Sequence, residues 1–395
     1  MFFTQIWKKW TLKYLNRSTQ VNWRQQRPYQ LSFNAELLPF TAKTYLIRKA
    51  SKVSKKRILV DNKVNKSSGA YIFRPNDTSP EWVGKPFRVE FVKGKTFQEV
   101  RQLFNSWVSQ TIRLEDNSDL LEFQFLIGPI PKESKNPVAK EVISRFNVTG
   151  IKSANTFYTD SNGRQMMERK LGVSPTFKRE NTEPVAGNLY PVASTIYIRD
   201  KEHQMAVSTD RSQAGGSFGD GNIDLMIHRR CFHDDNFGVD EALDEPGKDG
   251  RGLIISGSHT VQIGKITSKF RQTANDIYNK PIVAISSINN EDGQTIKNVH
   301  PLINELPEQV KILTLKLLNN GKVLLRLENF YQSADGKGSA HVDLTNLFTT
   351  MKINKVNEVS LANTKTIKRM SLTEAQLIEL KPMEIRTFEL EVQHL

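Results

Sequence analysis

A single cysteine, Cys231, is all that the 395 residues contain. That excludes an internal disulfide framework and any cysteine-cluster zinc site. Long apolar runs are missing too. A stretch such as Arg251-Gly-Leu-Ile-Ile-Ser falls far short of the ~20 residues that span a bilayer, so no membrane span is expected. The first ten residues, Met1-Phe-Phe-Thr-Gln-Ile-Trp-Lys-Lys-Trp, lack the continuous apolar core of a secretory signal. Read alone, they predict that the chain enters no secretory route by itself. Zinc-protease, serine-hydrolase and P-loop signatures are absent. No internal repeat is visible, which disfavours propellers and solenoids.

Acidic residues are scarce in one place only. The formal charge is +14, which first suggests a nucleic-acid binder. Residues 1–66 hold 15 Lys/Arg against 2 Asp/Glu, and the remaining residues hold 41 against 40. The bulk of the chain is therefore nearly neutral, and no nucleic-acid partner is expected for it. Binding of nucleic acid or an acidic membrane through residues 1–66 is a minor alternative.

Length allows two to three domains. Residues 1–30 read as a basic, aromatic and poorly ordered segment. Phe3, Trp7, Trp10 and Tyr14 also fit an amphipathic surface helix. Residues 31–67 read as a partial β segment and a basic linker, with Ala50-Ser-Lys-Val-Ser-Lys-Lys-Arg57 as its charged patch. From residue 68 onward short strands dominate. Ala70-Tyr-Ile-Phe-Arg74, Phe87–Val92, Leu121–Ile127, Thr195–Arg199, Met205–Thr209 and Ile223–His228 all read as strands. Leu313–Leu318, Asn319-Asn-Gly and Val323–Glu328 form a hairpin signal. His341–Thr345 and Glu384–Val392 complete a β-rich C-terminus. Only Thr96–Asn105 and Gln272–Tyr278 read as helical. The expected fold is all-β: a large antiparallel β-sandwich over 68–290, then a smaller one over 291–395.

Chemistry is hard to find. His228, Cys231 and His233 are close in sequence, but on a strand His228 would face away from the other two. Ordinary polar residues at a strand end are the plainer reading, and His233-Asp-Asp235 reads as an acidic surface turn. Gly215-Gly-Ser-Phe-Gly-Asp-Gly221 precedes a strand, not a helix, so it reads as a tight loop whose backbone approaches a ligand or a neighbouring strand. Tyr190, before Pro191, is an aromatic that suits the apolar face of a sugar, or simply an interior ring. No pair of carboxylates is singled out as an acid and base. Asn16, Asn65, Asn76 and Asn147 each begin an Asn-x-Ser/Thr glycosylation sequon.

Phe157-Tyr-Thr-Asp-Ser-Asn-Gly-Arg164, Asn181-Thr-Glu-Pro-Val-Ala-Gly-Asn-Leu-Tyr-Pro-Val192 and Thr209-Asp-Arg-Ser-Gln-Ala-Gly-Gly-Ser217 carry a resemblance. Ser68-Gly-Ala-Tyr-Ile-Phe-Arg-Pro-Asn76, Ile127-Gly-Pro-Ile-Pro131, Lys140–Phe146, Asp224–Arg230 and Lys381-Pro-Met-Glu-Ile-Arg-Thr-Phe388 extend it in order. Together they resemble the C-terminal region of lysosomal-type α-mannosidases of glycoside hydrolase family 38. The resemblance implies a zinc-dependent, retaining hydrolysis of α-mannosides in glycoprotein glycan breakdown. It places the zinc ligands and the nucleophile mostly in an N-terminal domain that these blocks do not represent. No catalytic residue or zinc ligand is therefore carried over, and this chain alone is expected to bind no zinc.

Mannose-containing glycans and a separate catalytic domain or chain are the implied partners. A stand-alone carbohydrate-binding or non-catalytic partner module is the alternative. Tyr190, and less strongly Arg326, are the implied sugar-facing residues. Asn65, Asn76 and Asn147 are the glycosylation candidates within the resembling region, which implies a lysosomal or secreted protein. Ala214 and Phe237 sit where relatives often have Gly and Arg, so Phe237 sets the Asp234–Gly238 loop apart. The stretch between residues 47 and 68 is shorter than in the family, as if early strands were missing and a sheet edge were left unpaired.

Overall fold

The computed structural model describes residues 54–59, 68–283 except 77, 161 and 181, and 300–394. The expectations for residues 1–30, for most of 31–67, and for Asn16 and Asn65 lie outside the described residues. The chain divides into two compact units, with the boundary between Asn279 and Lys280.

The first unit contains β1 (Ser54–Leu59), β2 (Glu81–Trp82), β3 (Arg88–Lys93), β4 (Phe97–Asn105) and β5 (Val108–Glu115). It continues with β6 (Leu120–Ile127), β7 (Lys140–Asn147), β8 (Thr156–Asp160), β9 (Met166–Lys170) and β10 (Tyr190–Val192). Then come β11 (Thr195–Arg199), β12 (His203–Thr209), β13 (Gln213–Gly216), β14 (Asn222–Arg230), β15 (Ile255–Lys265) and the helix α1 (Phe270–Tyr278). One sheet runs β10-β13-β14-β7-β1-β2, and a nine-stranded sheet runs β3-β4-β5-β6-β15-β12-β11-β8-β9.

Alternation explains why these sheets pack face to face. Every second residue of a strand faces the same side. Phe146, Ile223 and Leu225 of the smaller sheet meet Phe123, Ile196, Ile198, Met205, Val207 and Val261 of the larger in one buried layer. Phe123 and Phe146 join the sheets edge to face, with ring centroids 5.3 Å apart. α1 lies on β12, with Phe270 and Ala274 buried; Phe270 shares a second small cluster with Met166, Tyr197 and Ala206. The sequence-based helix at Gln272–Tyr278 is thus present.

The second unit holds β16 (Val310–Leu317), β17 (Val323–Asn329), β18 (Ala340–Val342) and β19 (Met351–Val359). It ends with β20 (Thr366–Met370), a one-turn helix α2 (Leu372–Ala375), β21 (Ile378–Leu380) and β22 (Ile385–His394). A five-stranded sheet, β16-β17-β22-β19-β20, faces the small β18-β21 sheet. Leu325, Leu327, Val356, Phe388 and Leu390 from the first, with Val342, Ile378 and Leu380 from the second, form its core. The β16–β17 hairpin matches its sequence signal, but its loop is longer than a two-residue turn. Gly321 donates to the Leu318 carbonyl and alone takes the left-handed φ of +78°, so a type I turn is closed by glycine.

Two local expectations fail. Thr96–Asn105 is not a helix: Phe97–Asn105 is β4, paired on both sides by β3 and β5. Its apolar spacing fits both periods, and strand pairing on two edges overrides local preference. Glu99, only 2% exposed, is met there by Arg101 at 2.8 Å and Arg113 at 3.2 Å. Ala70–Arg74 is not a strand but a loop, for a reason that belongs to the site below.

Phe388 is fully buried at the centre of the smaller unit's core. Phe388→Ala is expected to cost that unit about 3–5 kcal/mol, measured as the loss of its chemical-denaturation midpoint.

Candidate functional site

Register decides which loops share an end of the six-stranded sheet. Val192 of β10 pairs with Gln213 of β13, Gly215 pairs with Leu225 of β14, and Arg230 pairs with Lys140 of β7. The end of β10, the start of β13 and the end of β14 therefore lie together. Two rigid loop assemblies leave that end.

The first is built on Asp235. Its carboxylate is 1% exposed. Oδ2 accepts the amides of Tyr71 at 2.6 Å and Ile72 at 2.9 Å, and Oδ1 accepts that of Phe237 at 3.2 Å. Burial opposes ionisation, but the amides of Ile72, Tyr71 and Phe237 outweigh it and hold the carboxyl below its usual range. Arg229 secures the same loop from its other side, donating to the carbonyls of Gly69 at 2.7 Å and Ile72 at 3.2 Å. The Arg229 guanidinium also pairs at 2.5 Å with Glu141, which is buried on β7. Gly69 is required here, because a Cβ would meet the Asp235 side chain at 2.9 Å. These bonds replace the ladder that a strand at 70–74 would have made. Asp235 is thus no surface turn but a buried anchor. Tyr71 and Phe237, bonded to it through their amides, hold their rings in solvent at 67% and 65% exposure.

The second assembly joins three sequence blocks. Asp160 Oδ1 accepts the amides of Ser194 at 3.0 Å and Thr195 at 2.9 Å, and Oδ2 accepts the Ser194 hydroxyl at 2.8 Å. The Ser194 carbonyl accepts the Thr209 amide at 2.8 Å, and Tyr278 Oη donates to the Ala193 carbonyl at 2.6 Å. Next to Thr209, Asp210 takes both Nε and Nη2 of Arg211 at 3.0 Å, while Nη2 reaches the Ser256 carbonyl at 2.5 Å. The Arg211 side chain remains 49% exposed. With Nε and Nη2 committed, Nη1 keeps the two donors through which the oriented, half-exposed guanidinium can meet a polar ligand.

The residues favoured from sequence sit differently. Tyr190, on β10, is partly buried. Its ring meets Phe157 edge-on at 5.8 Å, Arg169 covers it at 4.3 Å, and its hydroxyl accepts from Arg179 at 3.5 Å. Arg326 belongs to the second unit, where Nε and Nη2 donate to the Leu361 carbonyl at 3.1 and 2.7 Å. Tyr71, Arg211 and Asp235 were not singled out as sugar-facing. Tyr71 and Arg211 lie in blocks that carried the resemblance, but residue type does not show which ring or guanidinium stays exposed. The glycine-rich 215–221 segment approaches other backbone: a Cβ on Gly221, at φ +72°, would meet the Val148 carbonyl oxygen at 2.2 Å.

A model of the glycosyl hydrolases family 38 C-terminal domain matches residues 43–237, and one of the family 38 C-terminal beta sandwich domain matches residues 309–388. The chain belongs to the C-terminal region of family 38. It is similar to lysosomal alpha-mannosidase of Bos taurus, with 38% identity over 362 residues, which is 84% of this chain and 36% of the bovine one. The Homo sapiens lysosomal alpha-mannosidase is 37% identical over 92% of this chain and 38% of its own length. The Canavalia ensiformis alpha-mannosidase is 36% identical over 82% of this chain and 36% of its own. The chain thus spans little more than a third of the curated family 38 relatives it matches. A crystal structure of an Enterococcus faecalis alpha-mannosidase shares the fold, with a TM-score of 0.57 at 13% identity, over 86% of this chain and 38% of that one.

The described residues do not fit a zinc ion. Among them no three His, Cys, Asp or Glu side chains gather as ligands. Cys231 is fully buried in an apolar cluster, and burial pushes its thiol up to about 12. His228 Nε2 lies 3.3 Å from the Leu253 carbonyl, His259 Nε2 lies 2.8 Å from Gln213, and His233 is exposed.

Asp235 gives a testable pH signature. Its folded pKa is depressed, so its stabilisation is present above the unfolded value, near 4, and is lost as pH falls below it. Asp235→Ala is expected to cost ~1–3 kcal/mol at neutral pH by stranding buried amides. It should also flatten the acid limb of stability, measured by urea unfolding between about pH 6 and pH 3.

Proposed function

We propose that this chain forms the C-terminal β region of an α-mannosidase and supplies part of the wall that holds a mannose-containing glycan. The two family models, matched in order along the chain, are the observation that carries this reading. The nucleophile, the acid/base and the zinc ion belong, in this reading, to a separate N-terminal domain or chain. A lysosomal or secreted location follows from the same relatives.

The site chemistry fits that role. A hexose has an apolar face and a rim of hydroxyls. An exposed tyrosine on an anchored backbone offers the first a stacking surface, and the Nη1 group of an oriented guanidinium offers the second its two remaining donors. Among the described residues, Tyr71 and Arg211 are placed to do so, at the same end of the sheet. Tyr190, clamped between Phe157 and Arg169, supports this end from within. Arg326 has most of its donors committed inside the second unit and enters as the weaker contact.

The purified chain with added zinc is expected to leave a chromogenic α-mannoside intact across about pH 4–7; turnover would overturn the assignment of catalysis to another domain. When residues 68–395 replace the matching region of the bovine relative, activity should persist. In that chimera Tyr71→Ala should lower kcat/KM about tenfold, the loss expected for one aromatic contact. Calorimetry of the isolated chain against mannose oligosaccharides separates this reading from a stand-alone binding module, which alone would give measurable affinity.

A further inference from the structure

We propose that the exposed ring of Tyr278 and the Nη1 group of Arg211 together form a second sugar-ring subsite, in addition to the contact at Tyr71. The inference rests on the reading of this chain as part of a glycan-holding wall, and it deepens that reading.

Tyr278 ends α1, and its ring is 47% exposed. Both ends of the side chain are held. At the backbone, α1 is seated on β12 through the buried Phe270 and Ala274. At the tip, Tyr278 Oη donates to the Ala193 carbonyl at 2.6 Å. Burial raises the phenol above its usual value; the Thr209 hydroxyl and the Arg211 charge oppose the shift, and the charges of Asp160 and Asp210 add to it. Those four side chains therefore surround the polar end of the ring, and the phenol stays a donor at neutral pH.

The bonds that hold Tyr278 also lead to Arg211. Ala193 is followed by Ser194, whose carbonyl accepts the Thr209 amide at 2.8 Å, and Thr209 precedes Arg211 by two residues. Nε and Nη2 of Arg211 are spent on Asp210 and on the Ser256 carbonyl. The two donors of Nη1 remain, on a side chain that is 49% exposed.

Charge selects the ligand class. Asp210 meets Arg211 through two bonds at 3.0 Å and compensates it, and Asp160 adds a second carboxylate near the ring. An anionic group would find no net positive charge here. A neutral pyranose fits instead, with its apolar face on Tyr278 and adjacent hydroxyls on Nη1. Tyr71 stands on the separate assembly built around Asp235, so one branched glycan can set different rings on the two tyrosines.

The full chain is prepared with isotope-labelled tyrosine, and the Tyr278 ring signal is assigned by its loss in Tyr278→Phe. Titration with an α-linked mannose disaccharide should move that signal saturably, with a Kd on the order of 1 mM, weaker than the calorimetry above resolves. Arg211→Gln should raise that Kd about tenfold, the loss of a hydrogen bond from a charged donor. A wild-type signal that does not move overturns the proposal, and so does an Arg211→Gln titration identical to wild type. Inorganic phosphate should leave the signal in place; a saturable shift with phosphate overturns the neutral-sugar assignment. The titration needs no catalysis, so it decides the subsite whether or not the chimera is active, and an inactive chimera counts only against the wider reading.

Discussion

A buried carboxylate must be satisfied or it will not stay charged, and at Asp235 the protein meets that demand with main-chain amides. The cost of removing the group from water is offset by hydrogen bonds from Tyr71, Ile72 and Phe237. This constraint shapes the surface around it. The loop carrying Tyr71 has no sheet ladder, so Asp235 and Arg229 take over its backbone groups. Arg229 is in turn held by Glu141 on the neighbouring strand. Two exposed rings are thereby mounted on a buried charged network at that end of the sheet.

The other loop assembly also gives a buried acid its hydrogen bonds, adding a hydroxyl donor to main-chain amides. Asp160 gathers Ser194 and Thr195, and Ser194 hands its carbonyl to Thr209. Blocks separated in sequence become one frame for Arg211. The flanking sheets supply rigidity, and the polar bonds supply position.

Much of the architecture was legible. Alternation revealed β6, β11, β12, β14 and β22, and the Asn-Asn-Gly at 319–321 marked a hairpin, because both signals are local. Phe97–Asn105 misled for the opposite reason. Its preference for a strand comes from β3 and β5, which no local window contains. The site was less legible still. Asp235 looked like a surface acid because its partners lie more than 160 residues earlier. Tyr190 carries Phe157 and Arg169 against its ring and is only partly buried. How far each ring is exposed is a fact of tertiary packing, not of residue type. The excess positive charge, by contrast, belongs mostly to residues 1–66 and bears little on the sandwich.

The bond from Tyr71 to Asp235 spans 164 positions of the chain. Closing so long a loop is entropically slow and is rewarded only after the intervening strands have formed. The hairpins β4–β5, β5–β6 and β11–β12 can form early from near neighbours. The loop that displays Tyr71 must wait for β14 and for the turn after it. During synthesis it leaves the ribosome before Asp235 has been made, so this loop takes its anchored conformation only once residue 235 has followed it.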